Sequence, residues 1–178
     1  ALNRPFHEST AFRKRPTMCS NRLYDKVLVD AQCTHDGSIK HIQKHRSKNN
    51  NYKDMDLRQF TLKSLEKLYQ LQFDLLNRGF ELLAPGGILV YSTCSLSRRQ
   101  NEGIISKFLS LPENSSSAIP LPFEGSDDLG QMRLCPPIHD SGFFICRIQK
   151  RSVWLYNTKY RWCGSFIIFW CVINNMNK

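Results

Sequence analysis

The chain has 178 residues and a net charge of +10 at pH 7, with 41% hydrophobic residues. That length supports one domain with its own core, and the basic balance favours a polyanionic partner such as RNA. Seven cysteines, irregularly spaced and without a CxxC pair, argue against a zinc ribbon or a secreted disulfide framework and fit a reducing compartment.

The basic excess is uneven. Residues 151–178 carry Arg151, Lys159, Arg161 and Lys178 and no acid, which leaves +6 for the rest. Residues 1–23 are a basic connection broken by Pro5 and Pro16. Tyr24 to Ala31 reads as a strand. Its continuous Val27-Leu28-Val29 run is expected of a strand covered on both faces. It ends in Asp30, followed by Gln32, Cys33, Thr34, His35, Asp36 and Gly37. Ser38 to Tyr52 is polar and basic, and its composition suits a solvated surface or an RNA contact. His35, His41 and His45 raise the question of a metal, and His41 and His45 lie four apart, the spacing of one helix face. No carboxylate or cysteine pattern supports them, so no metal site is expected.

Asp56 to Ala84 carries apolar residues at three- and four-residue steps, from Leu62 and Leu65 to Phe80 and Leu83, and predicts the longest helix. Pro85-Gly86-Gly87 is read as its stop. Ile88 to Tyr91 is then a short buried strand, delivering Ser92, Thr93, Cys94 and Ser95 to the sheet's carboxyl edge. In open α/β sheets that edge is where ligands bind. A helix follows from about Gln100 to Leu109, then a Pro/Ser-rich connection over Ser110 to Asp128. Phe143 to Ile148 reads as the last strand of an antiparallel hairpin on the sheet's edge. The apolar run Phe166 to Ile173 is shorter than the ~20 residues a bilayer span needs, and no secretory leader is recognisable. Strand, helix, strand, helix with long crossovers predicts a parallel α/β sheet. Cys94 is the candidate nucleophile, with Asp30 and Cys33 beside it.

These motifs resemble the Sun-domain (Nol/Nop/Sun, Fmu-like) RNA cytosine-5 methyltransferases, over Tyr24 to about Lys150. Asp30-Ala31-Gln32-Cys33 is similar to the family's Asp-Ala-Pro-Cys motif. Pro85-Gly86-Gly87 through Ser92-Thr93-Cys94-Ser95, with Gln100-Asn101-Glu102 after it, resembles its nucleophile strand and following helix. Arg133 with Gly142-Phe143-Phe144-Ile145 resembles its closing hairpin. The resemblance implies the carboxyl-terminal part of a Rossmann-like, S-adenosylmethionine-dependent sheet with an antiparallel closing hairpin. It also implies Cys94 as the nucleophile that adds to cytosine carbon 6, and Cys33 as the group that assists release of the methylated base. Asp30 is implied to lie at the junction of cofactor and cytosine. The implied partner is tRNA or rRNA, and the implied location is intracellular.

The sequence departs from the family at Gln32, where proline is usual, and at His35-Asp36-Gly37. The family's glycine-rich cofactor loop does not appear before Tyr24, and Gly86-Gly87 precedes a strand rather than opening a helix. The chain therefore reads as a basic connection (1–23), a partial methyltransferase domain (24–150) and an atypical basic, aromatic tail (151–178). With the family's first strand not seen, the Tyr24 strand is expected to show a bare edge and the chain to bind cofactor poorly. Two readings stay open: an enzyme, and an inactive family fragment that at most binds RNA. A cysteine hydrolase is disfavoured, because no histidine occupies a recognisable base motif for Cys94.

Overall fold

The computed structural model describes residues 23–39, 61–136, 138–139 and 141–152, and the backbone of 166–170. The expectations for residues 1–22, for His41 and His45, and for most of 151–178 lie outside the described residues.

Strand β1 (Tyr24–Asp30) forms as its β-branched run predicts. The crossover that follows contains α1 (Leu62–Glu81). This helix starts at Leu62, where its apolar spacing begins, rather than at Asp56. Thr61 is extended, and its Oγ1 accepts a hydrogen bond from Ser64 N at 3.1 Å, which caps the first turn. Leu68, Gln72, Phe73, Leu76, Gly79 and Phe80 form its buried face.

Strand β2 (Leu83–Thr93) is longer than the apolar Ile88–Tyr91 run. Pro85-Gly86-Gly87 is a bulge inside the strand rather than a turn before it. Tyr24 lies opposite Leu83 while Lys26 lies opposite Ile88, so the intervening residues are looped out of the ladder. Gly86 has φ +81°, a conformation open to glycine.

Helix α2 (Glu102–Leu109) begins after a turn that holds Gln100 and Asn101. The Pro/Ser-rich connection is not featureless. It contains a single turn of helix, α3 (Pro112–Ser115), started by proline with its preset φ, and a short strand, β3 (Ala118–Pro120). Strands β4 (Gln131–Leu134), β5 (Phe143–Lys150) and β6 (Phe166–Trp170) complete the described fold.

The sheet runs β3-β5-β2-β1-β6, with β4 also paired to β5. The long crossover through α1 makes β1 and β2 parallel, and β5 runs antiparallel to β2, β3 and β4. β5 is therefore an interior strand and not the edge expected from sequence. The other edge differs too. β6 pairs parallel with β1 from Lys26↔Phe166 to Asp30↔Trp170, so β1 is not bare. Its outward N–H and C=O groups have a backbone ladder instead of solvent.

One face of the sheet carries the core. Val27, Val29, Leu89, Tyr91, Phe144 and Ile148 are all at most 1% exposed. They join Phe73, Leu76 and Phe80 of α1 and Ile104, Ile105 and Phe108 of α2 in a single cluster. Side chains alternate along a strand, so Leu28, Ile88 and Val90 point to the opposite face, where they are only half-buried. The unbroken Val27–Val29 run is thus fully covered on one face, not on both.

Candidate active site

Because β1 and β2 are parallel neighbours, their carboxyl ends lie side by side, with Asp30 opposite Ser92. The chain leaving β1 is laid along the chain leaving β2. Ala31 N donates to Ser92 O at 2.9 Å and Gly37 N to Cys94 O at 3.0 Å. From the hairpin side, Gly142 N donates to Gly37 O at 2.7 Å. A Cβ on Gly37 would sit 2.7 Å from Cys94 O and 2.9 Å from Gly142 Cα, closer than any side chain tolerates. The glycine allows three backbone segments to meet at one point.

This docking brings the two sequence-predicted cysteines together. Cys33 Sγ and Cys94 Sγ are 3.3 Å apart. Cys33 is buried, at 4% exposure, while Cys94 is partly open to solvent. Asp30 stands at the same edge, and its Oδ1 accepts a hydrogen bond from Ser92 Oγ at 3.0 Å.

His35 is the third member. Its Nδ1 lies 2.9 Å from Cys94 Sγ and 3.7 Å from Cys33 Sγ. It has φ +56°, alone among the described non-glycine residues, and this left-handed backbone turns the ring back onto the thiols. Sequence reading assigned no histidine to Cys94. The signal was His35 itself, two residues after Cys33 in a loop that leaves a strand end.

A polar network fixes the loop. Thr34 N donates to Gln100 Oε1 at 3.1 Å, and Gln100 Nε2 donates to Thr34 Oγ1 at 2.9 Å. Gln72 Nε2 donates to Gln32 O at 2.6 Å. Asp36 accepts from the Thr34 and Ser95 hydroxyls and from Leu96 N. On the β2 side, Asn101 accepts from Thr93 Oγ1 at 2.6 Å and donates to Ser95 O at 2.9 Å. Arg133 reaches both carboxylate oxygens of Glu102 and donates to Leu96 O. The resemblance singled out Gln100, Asn101 and Arg133 as motif residues. Gln72 was legible only as a polar residue on an apolar helix face.

The electrostatics separate the two thiols. Cys33 is lowered to about 5, chiefly by the hydrogen bond from Cys94; burial opposes this and His35 assists it. Cys94 is raised, first by the same hydrogen bond and then by burial. His35 is raised, chiefly by its bond to Cys33 and against burial. The two shifts run in opposite directions, so Cys33 is the sulfur disposed to be the thiolate and Cys94 the one disposed to keep its proton. Cys146 is a useful contrast. Burial first, and then the Asp127 carboxylate, push it up to about 12, as expected of an inert core thiol.

Three comparisons with known proteins bear on this geometry. The family model for the 16S rRNA methyltransferase RsmB/F matches residues 8–149. This chain belongs to that family. The sequence is 33% identical over 145 residues to Ribosomal RNA small subunit methyltransferase F of Shewanella amazonensis, a match over 75% of this chain and 28% of the relative. The counterpart in Erwinia tasmaniensis is 34% identical over 135 residues. The chain spans roughly a quarter of the length of these curated relatives. Among solved structures, a methyltransferase homolog protein from Pyrococcus horikoshii aligns with TM-score 0.54 and 33% identity, over 72% of this chain and 40% of that one. NSun6 from the same organism, solved with SFG, aligns with TM-score 0.50 and 28% identity, over 69% of this chain and 29% of that one. RsmB/F membership bears out the Sun-domain resemblance and the Rossmann-like α/β class.

Proposed function

We propose that this chain carries the thiol half of an S-adenosylmethionine-dependent RNA cytosine-5 methyltransferase site, with ribosomal RNA as the substrate. The observation that supports it is the pair of sulfurs 3.3 Å apart at the carboxyl edge of β1 and β2, beside Asp30.

In this reading Cys94 is the nucleophile and Cys33 its base. Cys94 is the more accessible sulfur, as a group that must reach a cytosine has to be. Its proton passes to the Cys33 thiolate, and the new Cys94 thiolate adds to carbon 6 of the base. Carbon 5 is then electron-rich enough to take a methyl group. S-adenosylmethionine, when bound, supplies that group from its sulfonium. Cys33, having passed its proton to solvent, takes the proton from carbon 5. The carbon 6–sulfur bond breaks and Cys94 leaves as thiolate. In this reading Asp30, at the same sheet edge, accepts hydrogen bonds from polar edges where cofactor and base meet.

The residues fit S-adenosylmethionine only in part. Asp30 offers a carboxylate, but no glycine-rich turn opens a helix after a strand among the described residues. β6 also occupies the edge of β1 where the family's first strand is expected. That favours weak cofactor binding by this chain alone, and calorimetry showing micromolar affinity for S-adenosylmethionine would contradict it. It also lends support to the second reading, a family fragment that binds RNA without turnover. The His35–Cys94 contact supplies the histidine that a cysteine hydrolase lacked, yet family membership favours methyl transfer. No helix of the described residues is long and apolar enough to cross a membrane, and an intracellular site of action follows from the RNA substrate proposed.

Addition to carbon 6 labilises the carbon 5 hydrogen even without a methyl donor. The full chain is therefore expected to release tritium from small-subunit rRNA labelled at cytosine carbon 5, and Cys94→Ala to release none. Release undiminished in Cys94→Ala would refute Cys94 as nucleophile. No release by the wild type would favour the fragment reading.

A further inference from the structure

Cys33, His35 and Cys94 present three potential ligand atoms that all lie within 4.8 Å of one another. We propose that they form a site for a soft divalent cation such as Zn²⁺, with a fourth coordination position open to solvent. The site runs against the sequence expectation, which weighed His35, His41 and His45 and found no supporting carboxylate or cysteine pattern.

The donor set is the first argument. Thiolate and imidazole suit Zn²⁺, and two thiolates with a neutral imidazole balance its charge. Three protein ligands with one open position is an arrangement zinc commonly adopts.

Distances are the second argument. Zn–S bonds of about 2.3 Å and Zn–N bonds of about 2.0–2.1 Å at tetrahedral angles place two sulfurs about 3.8 Å apart, and sulfur and nitrogen about 3.6 Å apart. The observed separations are 3.3 Å between sulfurs, and 2.9 and 3.7 Å from His35 Nδ1 to the two sulfurs. The three atoms have to part by less than an ångström, as they would when a cation replaces a proton between them.

Support around the ligands is the third. His35 has a left-handed backbone, and its ring lies against both sulfurs. Thr34, one residue before it, is tied to Gln100 and to Ser95, and Asp36, one residue after it, is tied to Ser95 and Leu96 N. Ligands held this way lose little freedom when an ion binds. Cys94 and His35 are partly exposed, so the ion has a path in.

The consequence is inhibitory. With both sulfurs ligated, the cation draws down their electron density, so Cys94 is a much poorer nucleophile toward a base and Cys33 a much poorer base for a proton. That consequence rests on the methyltransferase reading, whereas metal binding does not and is measured without RNA or methyl donor.

The test titrates the reduced, full chain with Zn²⁺ against a chromophoric chelator, and with Co²⁺ followed by absorption spectroscopy. One equivalent of Zn²⁺ is expected, and Co²⁺ should give thiolate-to-metal charge transfer with the strong visible bands of a tetrahedral site. Cys33→Ser, Cys94→Ser and His35→Asn should each weaken binding at least about 100-fold, since outer partners of a metal ligand already cost 10–100-fold. Asparagine tolerates the left-handed backbone, so His35→Asn removes the imidazole with least strain. A variant with Cys19, Cys135, Cys163 and Cys171 all changed to serine should bind as the wild type does. Absence of uptake by the reduced wild type overturns the proposal. So does uptake lost in that four-serine variant, or unchanged in His35→Asn with circular dichroism of the folded chain.

Discussion

Gln100→Leu removes the side chain that ties the β1 loop to the turn before α2. Gln100 is 1% exposed. Its amide accepts from Thr34 N at 3.1 Å and from Gln72 Nε2 at 3.3 Å, and donates to Thr34 Oγ1 at 2.9 Å. Leucine keeps most of the volume and makes none of these bonds. Thr34 Oγ1 retains Asp36 and Ser95, and Gln72 Nε2 retains Gln32 O. The Thr34 amide is the group left without its partner. An unmet buried donor costs about 1–3 kcal/mol, which corresponds to about 5- to 150-fold in an opening equilibrium. Native-state hydrogen exchange reads this directly. The Thr34 amide should exchange faster by that factor, while the Leu89 amide in the β2 core reports any loss of global stability. The reasoning fails if Thr34 and Leu89 accelerate equally, or if Thr34 does not change in a folded chain.

Three further outcomes follow from the same structure. Phe108→Ala should cost about 3–5 kcal/mol, because its ring is fully buried and packs edge-on to Phe80 with centroids 5.2 Å apart; urea denaturation checks it against Leu129→Ala, which is 51% exposed and should change stability by no more than about 0.5 kcal/mol. Gly37→Ala should separate the loops, since the new methyl meets Cys94 O at 2.7 Å; the chain should stay folded while tritium release falls at least about tenfold, as small misplacements of reacting groups do. Removal of residues 153–178 takes away β6 and uncovers the β1 ladder, so gel filtration should show concentration-dependent association; a monomer at all concentrations would mean that β6 does not protect that edge.

Much of this arrangement was legible because it follows from short-range rules. The β-branched run of β1, the three- and four-residue spacing of α1 and the Ser-Thr-Cys-Ser strand end each announce themselves within a few residues. The crossover length then dictates parallel pairing, and parallel pairing places Cys33 and Cys94 at one edge. What escaped the sequence depends on partners distant in the chain. Pro85-Gly86-Gly87 has the composition of a turn, yet the flanking residues keep pairing with β1 and convert it into a bulge. β5 reads as an edge from its place in the chain, and only the short strands β3 and β4 make it interior. His35 was missed because its place against the thiols depends on how the β1 loop docks on the chain leaving β2, which its position two residues after Cys33 does not reveal by itself.

The loop that carries Cys33 shows how a local departure is compensated at longer range. At Gln32 the family usually has proline, which would stiffen the loop through the unfolded state by limiting what the chain can adopt. Here the stiffness comes from the folded state instead. Gln72 holds the Gln32 carbonyl, Gln100 holds the amide nitrogen and the hydroxyl of Thr34, and Asp36 bridges to the chain after Cys94. The two devices respond differently to heat and denaturant: a proline constraint persists whenever the backbone is native, whereas a hydrogen-bonded clamp opens as its partners fray. Gln32→Pro should therefore leave the sulfur pair in place and slow exchange at Thr34. It should also reduce the damage done by Gln100→Leu, so that the double variant exchanges more slowly at Thr34 than Gln100→Leu alone. Exchange in the double variant as fast as in Gln100→Leu would show that the glutamines do not take over the role of the proline.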